Sequence, residues 1–306
     1  MRRLDIHPEV EAAQRENQAV VALESTLIAH GLPWPLNLET ARQAEQAVRD
    51  HGAVPATVAV IAGRPTIGLT DGQLEAFARE PNVLKASTRD LASAISQKRT
   101  AATTVSATMR FAHAAGISLF ATGGIGGVHR GDGFDVSADL FELSRTPVAV
   151  ACAGAKSILD LPQTLEVLET FAVPVVGYRT DIFPAFYVES SGERVSARVN
   201  TPTEAATLLS AHWDQLSCGG IVLAQPLPAD VALSSAEFEA ALQEATVLVR
   251  AKNIRGKEVT PFLLARLAEI TNGKTLRANQ ALIVANAALA AQVAVEFVKE
   301  RSNPRS

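Results

Sequence analysis

Short apolar runs alternate with helix-forming stretches along most of this chain, and that alternation limits what it can fold into. Ala19 to Leu23, Val58 to Ile61, Val83-Leu84, Ile117 to Ala121, Val148 to Ala153, Val173 to Gly177 and Ile221 to Ala224 read as buried strands. Between them, Asn37 reads as the N-cap of a helix through Arg49, Thr70 caps one through Arg79, and Ser137 caps another. Strands that are apolar throughout and alternate with helices predict a largely parallel sheet covered on both faces. Gly63-Arg64-Pro65 turns one strand back as a hairpin. Phe186-Tyr187-Val188 and Val195 to Val199 flank Ser190-Ser191-Gly192, which reads as a β-hairpin excursion or an antiparallel edge. The tail is helical, with Thr260 and Pro261 as N-cap and N1 and Thr275 capping an alanine-rich helix to about Lys299. The expected fold is a three-layer α/β/α arrangement around a central, largely parallel but mixed sheet. A small hairpin excursion and a helical C-terminal region complete it, as one domain over residues 1–306.

Composition narrows the function classes. The chain is 47% hydrophobic and 20% charged, which gives a large core. Cys152 and Cys218, read as buried in or beside strands, suggest a reducing compartment and no disulfide framework. Met1-Arg2-Arg3 has a basic pair with no apolar stretch behind it, so no secretion signal is expected. No run is read as approaching the roughly 18–20 apolar residues that cross a bilayer. The expected location is the cytoplasm, with no membrane partner. A net charge of −4 without a lysine or arginine block argues against nucleic acid and suits a pocket for one phosphorylated metabolite.

Four polar groups emerge at predicted strand ends: Glu24, Lys85, Thr122 and Lys156. Strand ends of one sense converge on one rim, where open α/β sheets bind ligands. Lys156 follows the run Val148 to Ala153 through Gly154-Ala155. A lysine so placed can be desolvated into a nucleophilic amine, or can keep its head in water. The segment from Thr122 to Gly131, rich in glycine and carrying His129 and Arg130, follows a strand directly. It lacks the P-loop and dinucleotide spacings and reads as a phosphate cradle or as a tight turn. Asp135 and Asp139 flank Ser137, either as first-turn acids that complement a helix dipole or as a carboxylate that shares a cation with a phosphate. Among the other histidines, His30, His51 and His113 read as structural. Asn279 and Asn286, seven residues apart on the last helix, hydrogen-bond either a base edge or neighbouring backbone.

Taken together, several stretches resemble the pseudouridine-5′-phosphate glycosidase family, also called indigoidine synthase A-like proteins. They are Val21 to Thr26, Ala53 to Thr57, Ala121 to Arg130, Phe134 to Leu140, Gly154 to Pro162, Gly256-Lys257-Glu258, Thr260 to Leu264 and the final helix. The resemblance covers nearly the whole chain in order. It implies reversible cleavage of the C–C glycosidic bond of pseudouridine 5′-phosphate to uracil and ribose 5-phosphate. It also implies a divalent metal, commonly Mn²⁺, at one per subunit, and a homotrimer. By the resemblance Lys156 is the covalent lysine, Glu24 the proton donor and Asp135 the metal-binding aspartate. Lys85, Val105, Ser137, Ala138 and Asp139 match substrate-binding positions, and Thr122, His129 and Asn279 fall in the pocket. Thr88 stands where an arginine is usual, and Ala285 replaces the first of two usual asparagines. The rival readings are another Schiff-base lyase or aldolase on a sugar phosphate, and a non-catalytic sugar-phosphate sensor.

Overall fold

The computed structural model describes residues 4–131, 134–188, 190–254 and 259–302. Met1-Arg2-Arg3 and Gly256-Lys257-Glu258 lie outside the described residues. The chain begins β1 (Asp5–Ile6), α1 (Pro8–Arg15), β2 (Val20–Leu23), a π-helical turn (Leu27–Gly31) and α2 (Leu36–Asp50). Next come β3 (Val54–Ile61), β4 (Arg64–Ile67), α3 (Asp71–Arg79), β5 (Leu84–Ala86), α4 (Leu91–Ser96), β6 (Ala101–Thr103) and α5 (Val105–Ala114). The middle holds β7 (Leu119–Ala121), β8 (Val128–His129), α6 (Ala138–Leu143), β9 (Ala149–Cys152), β10 (Leu159–Asp160) and α7 (Leu161–Thr170). Then follow β11 (Val175–Tyr178), β12 (Ala197–Val199), α8 (Pro202–Ser210) and β13 (Ile221–Ala224). The tail is α9 (Ser235–Ala251), α10 (Val259–Ile270) and α11 (Lys274–Ser302).

Eleven strands form one mixed, largely parallel sheet in the order β1-β4-β3-β2-β7-β9-β13-β11-β12, with β6 on β3 and β5 on β6. From β3 to β12 the neighbours along that path are parallel. β4 and β6 run antiparallel to β3, and β1 and β5 follow them. The cause lies in β3. Its first half pairs with β2, and its second half runs on past the end of β2 to meet β4 and β6. β8 and β10 make a separate two-stranded antiparallel sheet. Every residue of β2, β7, β9 and β13 is buried, as continuous apolar strands require when helices cover them. α11 lies across β2, β7 and β9 beside α2 and α8, while α5 packs on β2, β3 and β7 beside α6.

Several expectations need correction. By length and composition α11 is long and apolar enough to cross a membrane, which the sequence reading missed because Asn279, Gln280 and Asn286 interrupt the apolar letters. Within the protein 56% of its most apolar window is buried, so it is a core helix. Cys152 is buried but Cys218 is exposed, because β13 starts only at Ile221. Asn37 is not a cap. It is buried in the first turn of α2 and donates to the carbonyls of Ile28 (2.8 Å) and Ala78 (2.9 Å). Thr260 likewise falls inside α10, which begins at Val259. The excursion between β11 and β12 is a looped segment held by isolated antiparallel bridges such as Ile182–Arg194, and its last arm, β12, joins the main sheet parallel to β11.

Candidate active site

Three of the four strand-end groups sit on the same rim. Glu24 follows β2 directly, Thr122 follows β7, and Lys156 lies four residues beyond β9. Lys85 arrives differently. β5 runs against the main strands, so this lysine reaches the rim from the flap that β3 builds beyond β2. Glu24, Lys85, Lys156 and Asn279 line one cavity of about 40 Å³. That is room for one or two waters. A nucleotide-sized ligand needs a pocket of roughly 300 Å³ or more, more than this space between the cavity walls. Thr260, Pro261 and Leu264 of α10 belong to those walls.

Glu24 is buried, and its carboxyl accepts a hydrogen bond from the Thr122 hydroxyl. Burial pushes its pKa up. Lys156, the Thr122 bond and Lys85 oppose that, and the Asp139 carboxylate adds to it. The outcome is a carboxyl biased toward holding a proton beside two amines. Lys156 is half-buried, and its backbone N–H donates to Ile125 O at 3.1 Å. Beyond β7 and β9 the two chain segments stay interlocked, through Ala153 N–H to Gly123 O and Ile125 N–H to Gly154 O.

The glycine loop is built as an interlock. The N–H groups of Ile125, Gly126 and Val128 donate to Gly154 O, Asp139 Oδ2 and Thr164 Oγ1. Those amides are therefore engaged with protein, and the cradle reading loses them. A Cβ on Gly126 would sit 2.7 Å from Asp139 Oδ2, and one on Gly124 would sit 2.6 Å from the Phe186 ring, so the close approach needs glycine. Arg130 adds no charge to the loop. Its guanidinium donates to Leu159 O and Ser157 O and pairs with Glu239 at 2.9 Å, pinning the turn after Lys156 to α9. Asn286 donates to Thr122 O (2.8 Å) and Gly123 O (3.3 Å), so it clamps backbone, while Asn279 faces the cavity.

The remaining candidates surround this core. Asp139 is buried and accepts from Ser106 N–H and Gly126 N–H, both at 2.9 Å, which ties α5 to the glycine loop. Ser137 caps α6 by accepting from Asp139 N–H, and Ala138 is exposed on its first turn. Val105 is buried at the first position of α5, so only its backbone can meet a ligand. His129 donates its backbone N–H to Asp135 O. Burial lowers the pKa of the His129 imidazole, Asp135 opposes that, and Lys156 and Lys85 reinforce it. His129 and Asp135 line a wider groove beside α9 and α10.

Among the described residues no group of three or more histidine, cysteine, aspartate or glutamate side chains is arranged to hold a metal. Asp135 is an exposed single carboxylate beside a neutral-leaning imidazole. Such a donor set fits a hard divalent ion that keeps most of its waters, and does not fit an all-protein cage.

Sequence reasoning missed several members of the cavity wall, His30 and Phe186 among them. His30 lies in the π-helical turn six residues after Glu24 and was read as structural. Only its spacing from Glu24 pointed to it. Phe186 also lines the cavity and holds φ +61°, a left-handed conformation that bulky residues rarely adopt. No local signal in the sequence marks it.

Comparison with known proteins agrees with this geometry. Residues 9–296 match the family described as indigoidine synthase A like protein. The chain is 52% identical over 300 residues to a pseudouridine-5′-phosphate glycosidase of Caldanaerobacter subterraneus subsp. tengcongensis, covering 97% of this chain and 98% of that one. It is 54% identical over 297 residues to the protein of that name from Herpetosiphon aurantiacus, covering 96% and 98%. Among solved structures, the prealnumycin C-glycosynthase AlnA in complex with ribulose 5-phosphate superposes with a TM-score of 0.91 at 38% identity, over 99% of each chain. An indigoidine synthase A-like protein from Thermotoga maritima gives 0.89 at 36% identity, over 96% of each.

Proposed function

This chain belongs to the indigoidine synthase A-like protein family, and we propose that it is an enzyme, a pseudouridine-5′-phosphate glycosidase. It cleaves pseudouridine 5′-phosphate and water reversibly to uracil and ribose 5-phosphate. The observation that carries the chemistry is Glu24, a buried carboxyl with a raised pKa, sharing a small cavity with Lys156.

The leaving atom is a carbon, C5 of uracil, so the easy departure of a nitrogen base is not open to this substrate. Lys156 offers another route. Its amine nitrogen forms a bond to C1′ as the C1′–O4′ bond breaks, and Glu24 gives its proton to O4′. The nitrogen, now an ammonium, returns a proton to Glu24, and its lone pair then forms a protonated C1′=N imine while the C1′–C5 bonding pair leaves with uracil, whose C5 takes that proton from Glu24. Water adds to the imine, Lys156 is released, and ribose 5-phosphate closes. Thr122 holds the Glu24 carboxyl in place through its hydroxyl. Lys85, with the helix starts at Val105 and at Ser137-Ala138-Asp139, receives the phosphate end; Asn279 lines the cavity itself, and His129 approaches from the neighbouring groove it shares with Asp135. Asp135 would hold a divalent cation such as Mn²⁺, one per subunit, and that ion supplies charge neutralisation at the phosphate. The enzyme works as a single domain in the cytoplasm. A homotrimer would cover apolar surface such as Phe134, 98% exposed, and Phe141, 53% exposed.

The test combines an assay with a trap. Uracil and ribose 5-phosphate mixed with the protein should give pseudouridine 5′-phosphate, resolved from free uracil by chromatography. Borohydride added during turnover should leave a ribose-phosphate mass on Lys156. An active protein that never yields that adduct contradicts the imine. A protein that binds ribose 5-phosphate without turnover is a sensor.

A further inference from the structure

His30 shares the cavity wall with Glu24, Lys85 and Lys156. Its Nε2 is buried and makes no hydrogen bond of normal geometry among the described residues, although the backbone carbonyls of Leu84 and Val83 lie close enough to the ring to act on its charge. A buried polar atom left unpaired is costly, and nearly all such atoms in folded proteins are paired. The other orphan found among the described residues, Ser210 Oγ, lies at the end of α8 and lines none of the cavity that holds the reactive groups. The turn that carries His30 is also pinned. It is the π-helical turn after β2, and Asn37 donates to Ile28 O inside it. π-Helical turns recur at functional sites.

We infer that His30 is a substrate-contacting residue whose Nε2 hydrogen-bonds a hydroxyl of the pentose. Burial first, and the nearby Lys85 ammonium second, lower the pKa of the imidazole, against the carbonyls of Leu84 and Val83, so it is neutral at neutral pH. Lys85 already brings positive charge to this cavity, and a neutral nitrogen adds none for a phosphate. Asn279 presents an amide donor and acceptor, the pair that a uracil edge requires. A sugar hydroxyl both donates and accepts, so it satisfies Nε2 in either tautomer.

The inference rests on the pentose-phosphate reading above, and its test separates the two. Synthesis from uracil and ribose 5-phosphate is followed in wild type, His30→Ala and His30→Gln, with calorimetric titration of ribose 5-phosphate and a melting curve for each. His30→Ala should raise KM for ribose 5-phosphate, and weaken its binding, by roughly five- to thirty-fold. KM for uracil should stay within about twofold, and the melting temperature should not fall. His30→Gln, which keeps a donor and an acceptor, should recover part of the loss. A lower melting temperature with both KM values unchanged marks a structural histidine and overturns the inference. So does a loss that falls on uracil. If His30→Ala does not fold, His30→Gln decides by the same two KM values. If wild type neither turns over nor binds ribose 5-phosphate, the proposed function fails and takes this inference with it. An active wild type matched by both variants removes this inference alone.

Discussion

Glu24 and Glu142 are both buried carboxylates, 6% and 1% exposed, and they are satisfied in opposite ways. Glu142, on α6, accepts from Thr88 Oγ1, from the Arg145 guanidinium and from Thr146 Oγ1, with Arg110 4.0 Å away. It ties the segment after β5 to α6 and to the turn that follows. Glu24 accepts from Thr122 alone among the described residues and looks into a cavity shared with two lysines. A carboxylate saturated by donors is a structural knot, and one left short of donors beside amines is set up to exchange protons. The contrast predicts that changes on the Glu24 side act on turnover and that changes on the Glu142 side act on stability.

The largest effect belongs to Lys156. Lys156→Ala should lower turnover by about 10⁴-fold or more, as removal of a covalent nucleophile does, with an unchanged melting curve. Near-normal rates would end the covalent role. Glu24→Gln comes next, with a loss of about 10²- to 10⁴-fold and a gain in stability. Its folded pKa lies above the ordinary value of 4.5, because burial favours the neutral form. The stability linked to that shift is therefore fully present below the unfolded pKa and lost as pH rises through the folded one. The amide has no charge to bury. Glu24→Gln should melt about 2 °C above wild type near neutral pH, and the gap should close in acid. A gap equal at both pH values would contradict the burial argument.

Much of this cavity was legible in the sequence, because strand ends in a parallel sheet are local signals. The apolar runs placed Glu24, Thr122 and Lys156 on a rim without reference to tertiary structure. Lys85 was right as a position and wrong in its route, since nothing in Val83-Leu84-Lys85 reveals that β5 runs against the main strands. That depends on β3 outrunning β2, a register that one strand's letters do not encode. Arg130 illustrates the converse failure. A guanidinium in a glycine loop suggests anion binding, yet its partners Ser157, Leu159 and Glu239 are remote in sequence. His30 escaped for a similar reason. A histidine on a π-helical turn is outside the 3.6-residue pattern by which faces are assigned.

Asp135 gives an intermediate effect. Asp135→Asn should lower activity by roughly tenfold to a hundredfold and blunt the response to added Mn²⁺ and to chelator. Because the side chain is exposed, the melting temperature of the metal-free protein should stay put. Full activity of wild type in chelator would remove the metal from the reaction.

The smallest effects on turnover should come from the Glu142 knot, and there the sign of the comparison reverses. Glu142→Gln leaves the Arg145 guanidinium without a charged partner and gives Thr88 and Thr146 a poorer acceptor. It should cost about 1–3 kcal/mol and lower the melting temperature by several degrees. Thr88→Val deletes a single donor at 3.1 Å, costs about 1 kcal/mol, and should lower the melting temperature by about 2 °C. In both variants kcat/KM per folded molecule should stay within about threefold of wild type. Thr88 lies only three residues beyond Lys85, so it is also the more demanding probe. If Thr88→Val instead raised KM for ribose 5-phosphate tenfold at an unchanged melting temperature, the knot would be positioning Lys85, and the division between a structural carboxylate and a reactive one would not hold.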